Sequence, residues 1–181
     1  ERILSENISL SVIGPEHIAI IGDNGTGKTT LLRKIAKEML ERKDIKAAYM
    51  PQNYEEVLDF KQRPIDFLNT TGEKEDVTKA FTYMGGMKFT RDEMEHAIGD
   101  LSGGQKAKLI LLKMILDGAE VLILDEPTRN LSPLSNPVIR GVLTSFKGAI
   151  ISVTHDRKYM SEVADKLYRL TKSGLSKEER I

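Results

Sequence analysis

Apolar runs alternate along the chain with segments whose apolar residues recur at helical spacing. Residues 18–21 and 121–124 are apolar without interruption, residues 149–153 are nearly so, and turn or polar residues bound all three runs. Such runs are typical of parallel strands that are buried on both faces. Helical spacing follows over residues 31–40 and again after Pro137. Strands that alternate with helices predict an α/β fold with a mainly parallel sheet.

Two weaker strand patterns and a charged tail occupy other parts of the sequence. Residues 8–12 alternate between apolar and polar positions, which predicts a half-buried strand near the N-terminus. Residues 45–50 predict a further strand, which Pro51 closes. Residues 177–180 are all charged, and we expect them to form a solvated tail.

The middle of the chain has a helical character. Pro64 fits the first position of a helix, and Thr90 with Glu93 forms the sequence pattern of a capping box. A second capping box, Ser102 with Gln105, opens a helix that is apolar almost all round and is therefore predicted to be buried. We expect a single domain over residues 1–181, with a helical subdomain inserted at about residues 53–117.

Composition narrows the class of protein. The chain has 181 residues, with 27 Lys and Arg against 27 Asp and Glu, so its formal net charge is zero. There is no Cys, which excludes disulfides, Cys-ligated metals and a thiol nucleophile. No apolar run approaches the ~18 residues of a membrane span, so we expect no direct membrane insertion. The lack of Cys permits a reducing setting, and we expect a cytoplasmic protein. The chain begins with Glu1 and not with Met, and we expect it to be part of a longer polypeptide.

Residues 22–29, Gly-Asp-Asn-Gly-Thr-Gly-Lys-Thr, satisfy the P-loop pattern between a predicted strand and a predicted helix. Glycines allow backbone N–H groups to surround phosphate oxygens, and the helix start favours negative charge. Lys28 is expected to neutralise phosphate charge without packing in a core, and the Thr29 hydroxyl to ligate magnesium. An ordinary strand–helix turn with a surface lysine is the less specific interpretation. The predicted phosphate-binding residues are Gly22, Asp23, Asn24, Gly25, Thr26, Gly27, Lys28, Thr29 and Thr30.

The buried strand at residues 121–124 ends in Asp125 and Glu126. Four aliphatic residues followed by an acid match a Walker B strand, in which Asp125 would hold magnesium. The adjacent Glu126 is placed to act as a general base towards water. A buried strand that closes on a polar turn is the alternative, but two adjacent carboxylates are costly there without a partner.

Residues 101–105, Leu-Ser-Gly-Gly-Gln, resemble the signature sequence of ATP-binding cassette (ABC) proteins, and the whole chain resembles an ABC nucleotide-binding module. The resemblance implies a P-loop NTPase core of the ABC ATPase type, with a mainly parallel sheet, an antiparallel β portion at the N-terminus and a small helical signature subdomain. It implies ATP and Mg as cofactors. It also implies that this helix start contacts ATP held by a partner module, through Ser102, Gly103, Gly104 and Gln105.

Two further matches to the same family are individually weak. Gln52 fits the Q-loop, which implies a place for it in the magnesium shell and at the ATP site. His155 fits the switch histidine, which implies a catalytic contact with the terminal phosphate and the attacking water, beside Glu126. Without the other motifs, a polar loop residue and a structural histidine would be the better interpretations. All five motifs occur in the family's order.

The run from residue 154 to residue 174 resembles the ABC-F subfamily, whose members carry two cassettes in one chain and act on ribosomes. The sequence departs from the family pattern at Ser132, where an Asp is usual, and we expect weaker coupling between paired sites. The family's adenine-stacking aromatic residue would lie before the start of this chain.

Three hypotheses about function follow. The first is an ATP-hydrolysing module in an ABC-F protein acting on the ribosome. It would work as a head-to-tail pair with a second ABC module, which is either a second copy of the chain in a homodimer or a tandem cassette in the same chain. The second is the ATP-binding subunit of a membrane transporter, with a membrane-domain partner. The third is a nucleotide-gated binding module in which ATP closes the pair and hydrolysis resets it.

Overall fold

The computed structural model describes residues 8–69, 71–129, 131–133 and 135–179. Within them, six strands form one sheet: β1 (His17–Ile21), β2 (Ala47–Met50), β3 (Val121–Asp125), β4 (Ala149–Val153), β5 (Lys166–Thr171) and β6 (Gly174–Glu178). Their order across the sheet is β2-β3-β4-β1-β5-β6, and only the β5–β6 pair is antiparallel. The mainly parallel α/β sheet predicted from the apolar runs is confirmed.

The described helices are α1 (Lys28–Leu40), α2 (Pro64–Leu68), α3 (Lys74–Gly86), α4 (Arg91–Glu95), α5 (Gly103–Leu116), α6 (Ser135–Ser145) and α7 (Arg157–Glu162). Short 3₁₀ turns occur at Tyr54–Glu56 and Ile98–Asp100. Pro64 is the first residue of α2, and both capping boxes are present, as the sequence predicts. Helix α6 begins at Ser135, which places Pro137 inside the first turn and not at the first position.

Apolar clusters on the two faces of the sheet explain the uninterrupted apolar strands. Ile20, Ile123 and Ile151 belong to a cluster with residues of α1, whereas Ala19 and Ile21 belong to a cluster with Met160, Ala164 and Leu167. Successive residues of β1 therefore point to opposite faces and are buried on both. This burial requires the apolar run that predicted the strand.

The chain divides into two compact units. The first comprises the described residues of Glu1–Gln52, Ala119–Arg129 and Arg140–Ile181, and it contains the whole sheet. The second comprises those of Asn53–Gly118 and Asn130–Ile139, and it contains α2 to α5. In α5, residues 107–112 are all buried, in agreement with the buried helix predicted there. The predicted inserted subdomain at about residues 53–117 stays a prediction.

The N-terminal strand prediction is wrong for the described residues. Residues 8–13 form no strand, although Leu10 and Val12 pack against the core and the alternating Ser9 and Ser11 are exposed. The alternation of apolar and polar residues therefore shows that one side of this segment is buried. It does not establish a strand, because a strand also needs hydrogen-bond partners for its backbone N–H and C=O groups. The expected antiparallel β portion lies instead at the other end, in β5 and β6, and residues 1–7 lie outside the described part of the chain.

Candidate functional site

Three sheet strands end side by side at one edge of the first unit. In the order β3-β4-β1, Asp125 is opposite Val153, and Val153 is opposite Ile20. The segments that follow these strands carry the P-loop, Glu126 and His155. In parallel sheets, ligands bind outside the carboxyl ends of the strands. The parallel pairing thus brings together motifs that are more than 90 residues apart in sequence.

The loop after β1 uses glycine where no other residue fits without strain. Gly22, Gly25 and Gly27 have φ of 148°, 81° and 96°, in the region that side chains disfavour. At Gly22 a Cβ atom would also lie 2.5 Å from the carbonyl oxygen of Leu170 in β5. The Thr26 hydroxyl donates to the Asp23 carbonyl oxygen at 2.9 Å and closes the loop. The glycine pattern is therefore a requirement of this loop conformation.

The start of α1 leaves N–H groups available to a ligand. Its N-cap is Gly27, which has no side-chain oxygen to accept from the first turn, and that turn carries no acidic residue. The first N–H groups of a helix have no partner within the helix. Together with the helix dipole, these groups make the loop a site for an anion such as a phosphate group.

Lys28 contributes both charge and structure to the loop. Its Nζ donates to the carbonyl oxygens of Gly22 and Asp23, each at 2.9 Å. The side chain is 7% exposed, so the expectation that it packs in no core is wrong. Burial lowers the pKa of the Lys28 ammonium, and the nearby carboxylates, Glu126 first, oppose that shift.

Oxygen atoms of three predicted magnesium ligands belong to this same edge. The Thr29 hydroxyl donates to Asp125 Oδ1 at 3.3 Å, and Asp125 is 1% exposed at the end of β3. Gln52 lines a cleft together with Thr29. Hydroxyl, carboxylate and amide oxygens are hard ligands of the kind that Mg²⁺ takes. The donor set therefore fits magnesium.

Glu126 and His155 form a pair beside the loop. Glu126 has a left-handed φ of 52°, and its N–H donates to the Val153 carbonyl oxygen at 2.9 Å. Its carboxylate accepts from the His155 backbone N–H at 3.3 Å, and Oε1 lies 3.4 Å from His155 Nε2. Burial raises the pKa of the Glu126 carboxyl, and the His155 charge opposes that shift. This backbone conformation holds a largely buried carboxylate in the lining of both clefts.

Two clefts, of about 600 Å³ and 340 Å³, open between these segments. They share Asn24, Glu126, Arg129 and His155. The narrower cleft is also lined by Gly25, Gly27, Lys28, Thr29, Thr30, Gln52 and Val153. Sequence reasoning did not assign a site role to Thr128, Arg129 or Asp156, which line the wider cleft. Their position directly after predicted site residues was the available signal.

The signature residues belong to the second unit, at the start of α5. Gln105 N–H donates to the Ser102 hydroxyl at 3.3 Å, and Ser102 N–H donates to Gln105 Oε1 at 2.7 Å. The Gln105 amide also donates to the Glu93 carboxylate. A Cβ atom on Gly104 would lie 2.8 Å from Ser135 Oγ. Local packing therefore accounts for one of the two adjacent glycines, Gly103 and Gly104, of the motif.

Ser132 caps the start of α6. Its hydroxyl accepts from the Ser135 N–H at 3.2 Å and donates to Ser135 Oγ at 3.2 Å. Ser, Asp and Asn side chains can all accept in this way. The departure from the family's Asp thus keeps the cap and removes a charge.

Comparison with known proteins supports the family assignment. A family model described as ABC transporter matches residues 5–129. The probable ATP-binding protein YheS of Escherichia coli K12 is 32% identical over 175 residues, which cover 93% of this chain and 28% of that protein. The ABC transporter F family member 2 of Arabidopsis thaliana is 27% identical over 183 residues, which cover 97% of this chain and 27% of that protein. The chain thus spans less than a third of the length of these relatives.

A solved structure shows the same fold. The ATP-binding cassette MJ0796, as a dimer in a post-hydrolysis state bound to ADP and Pi, superposes with a TM-score of 0.83 at 17% identity. The superposition covers 98% of this chain and 90% of that one. This likeness confirms the predicted ABC ATPase fold class.

In the described residues, no helix is both long enough and apolar enough to cross a membrane.

The match over residues 5–129 and the relatives in Escherichia coli and Arabidopsis thaliana agree with the motifs found in the sequence. The chain belongs to the ABC transporter family, as an ATPase domain of that family.

Proposed function

We propose that this chain binds Mg-ATP at the clefts of its first unit and hydrolyses it there. The observation that carries the proposal is the contact between the Thr29 hydroxyl and Asp125 Oδ1, at 3.3 Å. It joins the phosphate-binding loop to the carboxylate that ends β3. One region thereby combines an anion site, a set of hard oxygen ligands and a largely buried carboxylate.

The loop after β1 and the start of α1 bind the phosphate groups. The N–H groups of residues 22–30 and the Lys28 ammonium bind the phosphate oxygens, because they supply positive charge at fixed positions. Thr29, Asp125 and Gln52 would hold magnesium. Magnesium, when bound, neutralises charge on the phosphate oxygens.

Glu126 and His155 carry the hydrolytic step. Glu126 accepts the proton of the attacking water as the general base. His155, half exposed beside it, orients the water and the terminal phosphate by hydrogen bonds. The left-handed φ of Glu126 keeps its carboxylate next to His155, which a freely rotating surface glutamate would not do.

The signature residues serve the nucleotide of a second module. Ser102 accepts from Gln105 N–H, and its hydroxyl hydrogen stays available to a ligand because a hydroxyl both donates and accepts. The first N–H groups of α5 add to this donor set. The dimeric state of the MJ0796 cassette supports a pair of modules that meet head to tail around ATP.

For the whole protein we propose an ABC-F function at the ribosome. Relatives named ABC transporter F family members 2 and 5 in Arabidopsis thaliana support the subfamily. The transporter hypothesis predicts a membrane-domain partner instead. Co-sedimentation of the full-length protein with ribosomes, with a Glu126→Gln variant to retain ATP, distinguishes the two. A full-length protein that leaves ribosomes in the supernatant and purifies with a membrane protein would favour the transporter.

Glu126→Gln tests the chemical proposal. The amide keeps the size of the side chain but cannot accept the proton, so turnover should fall by about 10²–10⁴-fold while Mg-ATP binding stays. Glu38→Gln, an exposed position on α1, is the matched control. A wild-type chain that binds no Mg-ATP by calorimetry, or a Glu126→Gln chain with normal turnover, would contradict the proposal.

A further inference from the structure

Arg129 is an exposed cation on the walls of both clefts. It comes from the turn after β3, whereas Lys28 comes from the loop and helix after β1. A ligand in the narrower cleft would therefore have a cationic side chain from each of two separate segments. None of the family motifs described above includes Arg129.

A tight turn fixes the backbone of Arg129 relative to Glu126. The Arg129 N–H donates to the Glu126 carbonyl oxygen at 3.0 Å, and Pro127 occupies the second position, which favours such turns. Thr128, between them, is 5% exposed. The guanidinium thus starts from an anchored point three residues from the proposed base, and its exposed side chain is free to reach a ligand.

The charges of the clefts call for a second cation. The acidic residues Asp23, Glu126 and Asp156 line the wider cleft, and among its lining residues Arg129 is the one Lys or Arg. In the narrower cleft, Lys28 already donates to two loop carbonyl groups. A terminal phosphate that approaches Glu126 is repelled by that carboxylate, and the positive charge of Arg129, which lines the same clefts, would offset the repulsion.

We propose that Arg129 binds the terminal phosphate of ATP and so makes this chain prefer ATP to ADP. A guanidinium presents parallel N–H donors that match two phosphate oxygens. ADP lacks the group on which these donors act. This inference rests on the proposed function, since it assigns one more contact to the same nucleotide.

Calorimetric titration with Mg-ATP and with Mg-ADP tests the proposal in the wild-type chain, Arg129→Gln and Arg129→Lys. Arg129→Gln should weaken ATP binding by about tenfold or more and ADP binding by less than about twofold, because a hydrogen bond to a charged group is lost for ATP alone. Arg129→Lys should recover part of the loss. Arg42→Gln is the matched control: Arg42 is exposed in the same unit, pairs with Asp44 and lines neither cleft.

The possible results separate this proposal from the previous one. If the wild-type chain binds ATP and Arg129→Gln keeps the wild-type ratio of ATP to ADP affinity, the role of Arg129 is wrong and the nucleotide site stands. An equal loss for ATP and ADP also overturns it, because the arginine would then act on a shared part of the nucleotide. If the wild-type chain binds neither nucleotide, both proposals fall.

Discussion

The two helices that begin in glycine-rich segments, α1 and α5, differ in whether side chains cap their first turn. Helix α1 begins after Gly27, in a left-handed conformation and without a side-chain cap. Helix α5 begins after Ser102, whose side chain and that of Gln105 cap each other's backbone. The first start lies open beside a buried lysine, and the second is largely satisfied within its own unit.

This difference indicates that the two glycine-rich helix starts have different roles at an ATP site. The uncapped start of α1 offers its first N–H groups and the Lys28 ammonium to a phosphate group. A capped start keeps only a hydroxyl hydrogen and its first N–H groups for a ligand. We therefore expect α1 to govern nucleotide affinity and α5 to govern turnover in the assembled pair.

Lys28→Ala should have the largest effect on affinity. It removes the charge partner of the phosphate and two donors to the loop, and the helix dipole offers only ~0.3–1 kcal/mol in replacement. We expect the ATP affinity to fall by about 100-fold in calorimetry, from the loss of charged hydrogen bonds. Lys34→Ala, at an exposed position of the same helix, should bind normally. Equal ATP affinity of Lys28→Ala and the wild type would contradict the role of α1 in nucleotide binding.

Alanine at a tight glycine should cost more in the loop than in the signature. At Gly22 the new Cβ would meet a backbone carbonyl oxygen at 2.5 Å, whereas at Gly104 it would meet Ser135 Oγ at 2.8 Å. The Ser135 hydroxyl can rotate away, which leaves its Cβ atom at 3.0 Å, but the backbone of β5 cannot move aside in this way. We expect Gly22→Ala to lower the free energy of unfolding by about 1–3 kcal/mol, and Gly104→Ala by less. Denaturant unfolding of the two variants decides the order.

Ser102→Ala should separate stability from turnover. Loss of the N-cap oxygen should cost about 1 kcal/mol in the free energy of unfolding. Thr90→Ala removes the same kind of cap from α4 and is the matched control. Both variants should bind ATP as the wild type does, but only Ser102→Ala should also slow hydrolysis. If the two variants lose turnover equally, the signature start has no role beyond its cap.

Ser132→Asp should have the smallest effect on the fold. Asp can still accept from the Ser135 N–H, and its charge at the start of α6 should add about 0.3–1 kcal/mol of stability. We expect faster ATP turnover in the paired protein, because the substitution restores a carboxylate that couples the two sites. Ser132→Asn keeps the cap without the charge and should leave turnover unchanged. A slower Ser132→Asp would show that the serine suits its own partner.

The sequence predicted the elements whose burial leaves a simple pattern. Strands β1 and β3 were predicted because both of their faces are covered, which demands apolar residues throughout. Strand β5 was missed because charged residues interrupt it, and only its pairing with β1 and β6 makes it a strand. Strand β6 carries Lys177 and Glu178, which the sequence suggested were part of a solvated tail.

The site was predictable as far as it depends on strand ends. The P-loop, Asp125, Glu126 and His155 follow strands that the pattern identifies. Contacts between distant segments were not predictable, such as the burial of Lys28 or the serine that packs on Gly104. These contacts depend on how distant segments pack in the folded chain, and no local sequence pattern records that packing.

Mixing two inactive variants tests most directly whether two chains share each site. Lys28→Ala removes the phosphate-binding lysine of the loop. Ser102→Arg blocks the start of α5, which contacts the nucleotide of the partner. If the pairing is head to tail, an equimolar mixture forms mixed pairs with one intact site each, and ATPase activity should return to about a quarter of the wild-type rate. Each variant alone should be inactive while its thermal unfolding shows that it is folded. A mixture as inactive as its components would contradict a site built from the α1 start of one chain and the α5 start of another.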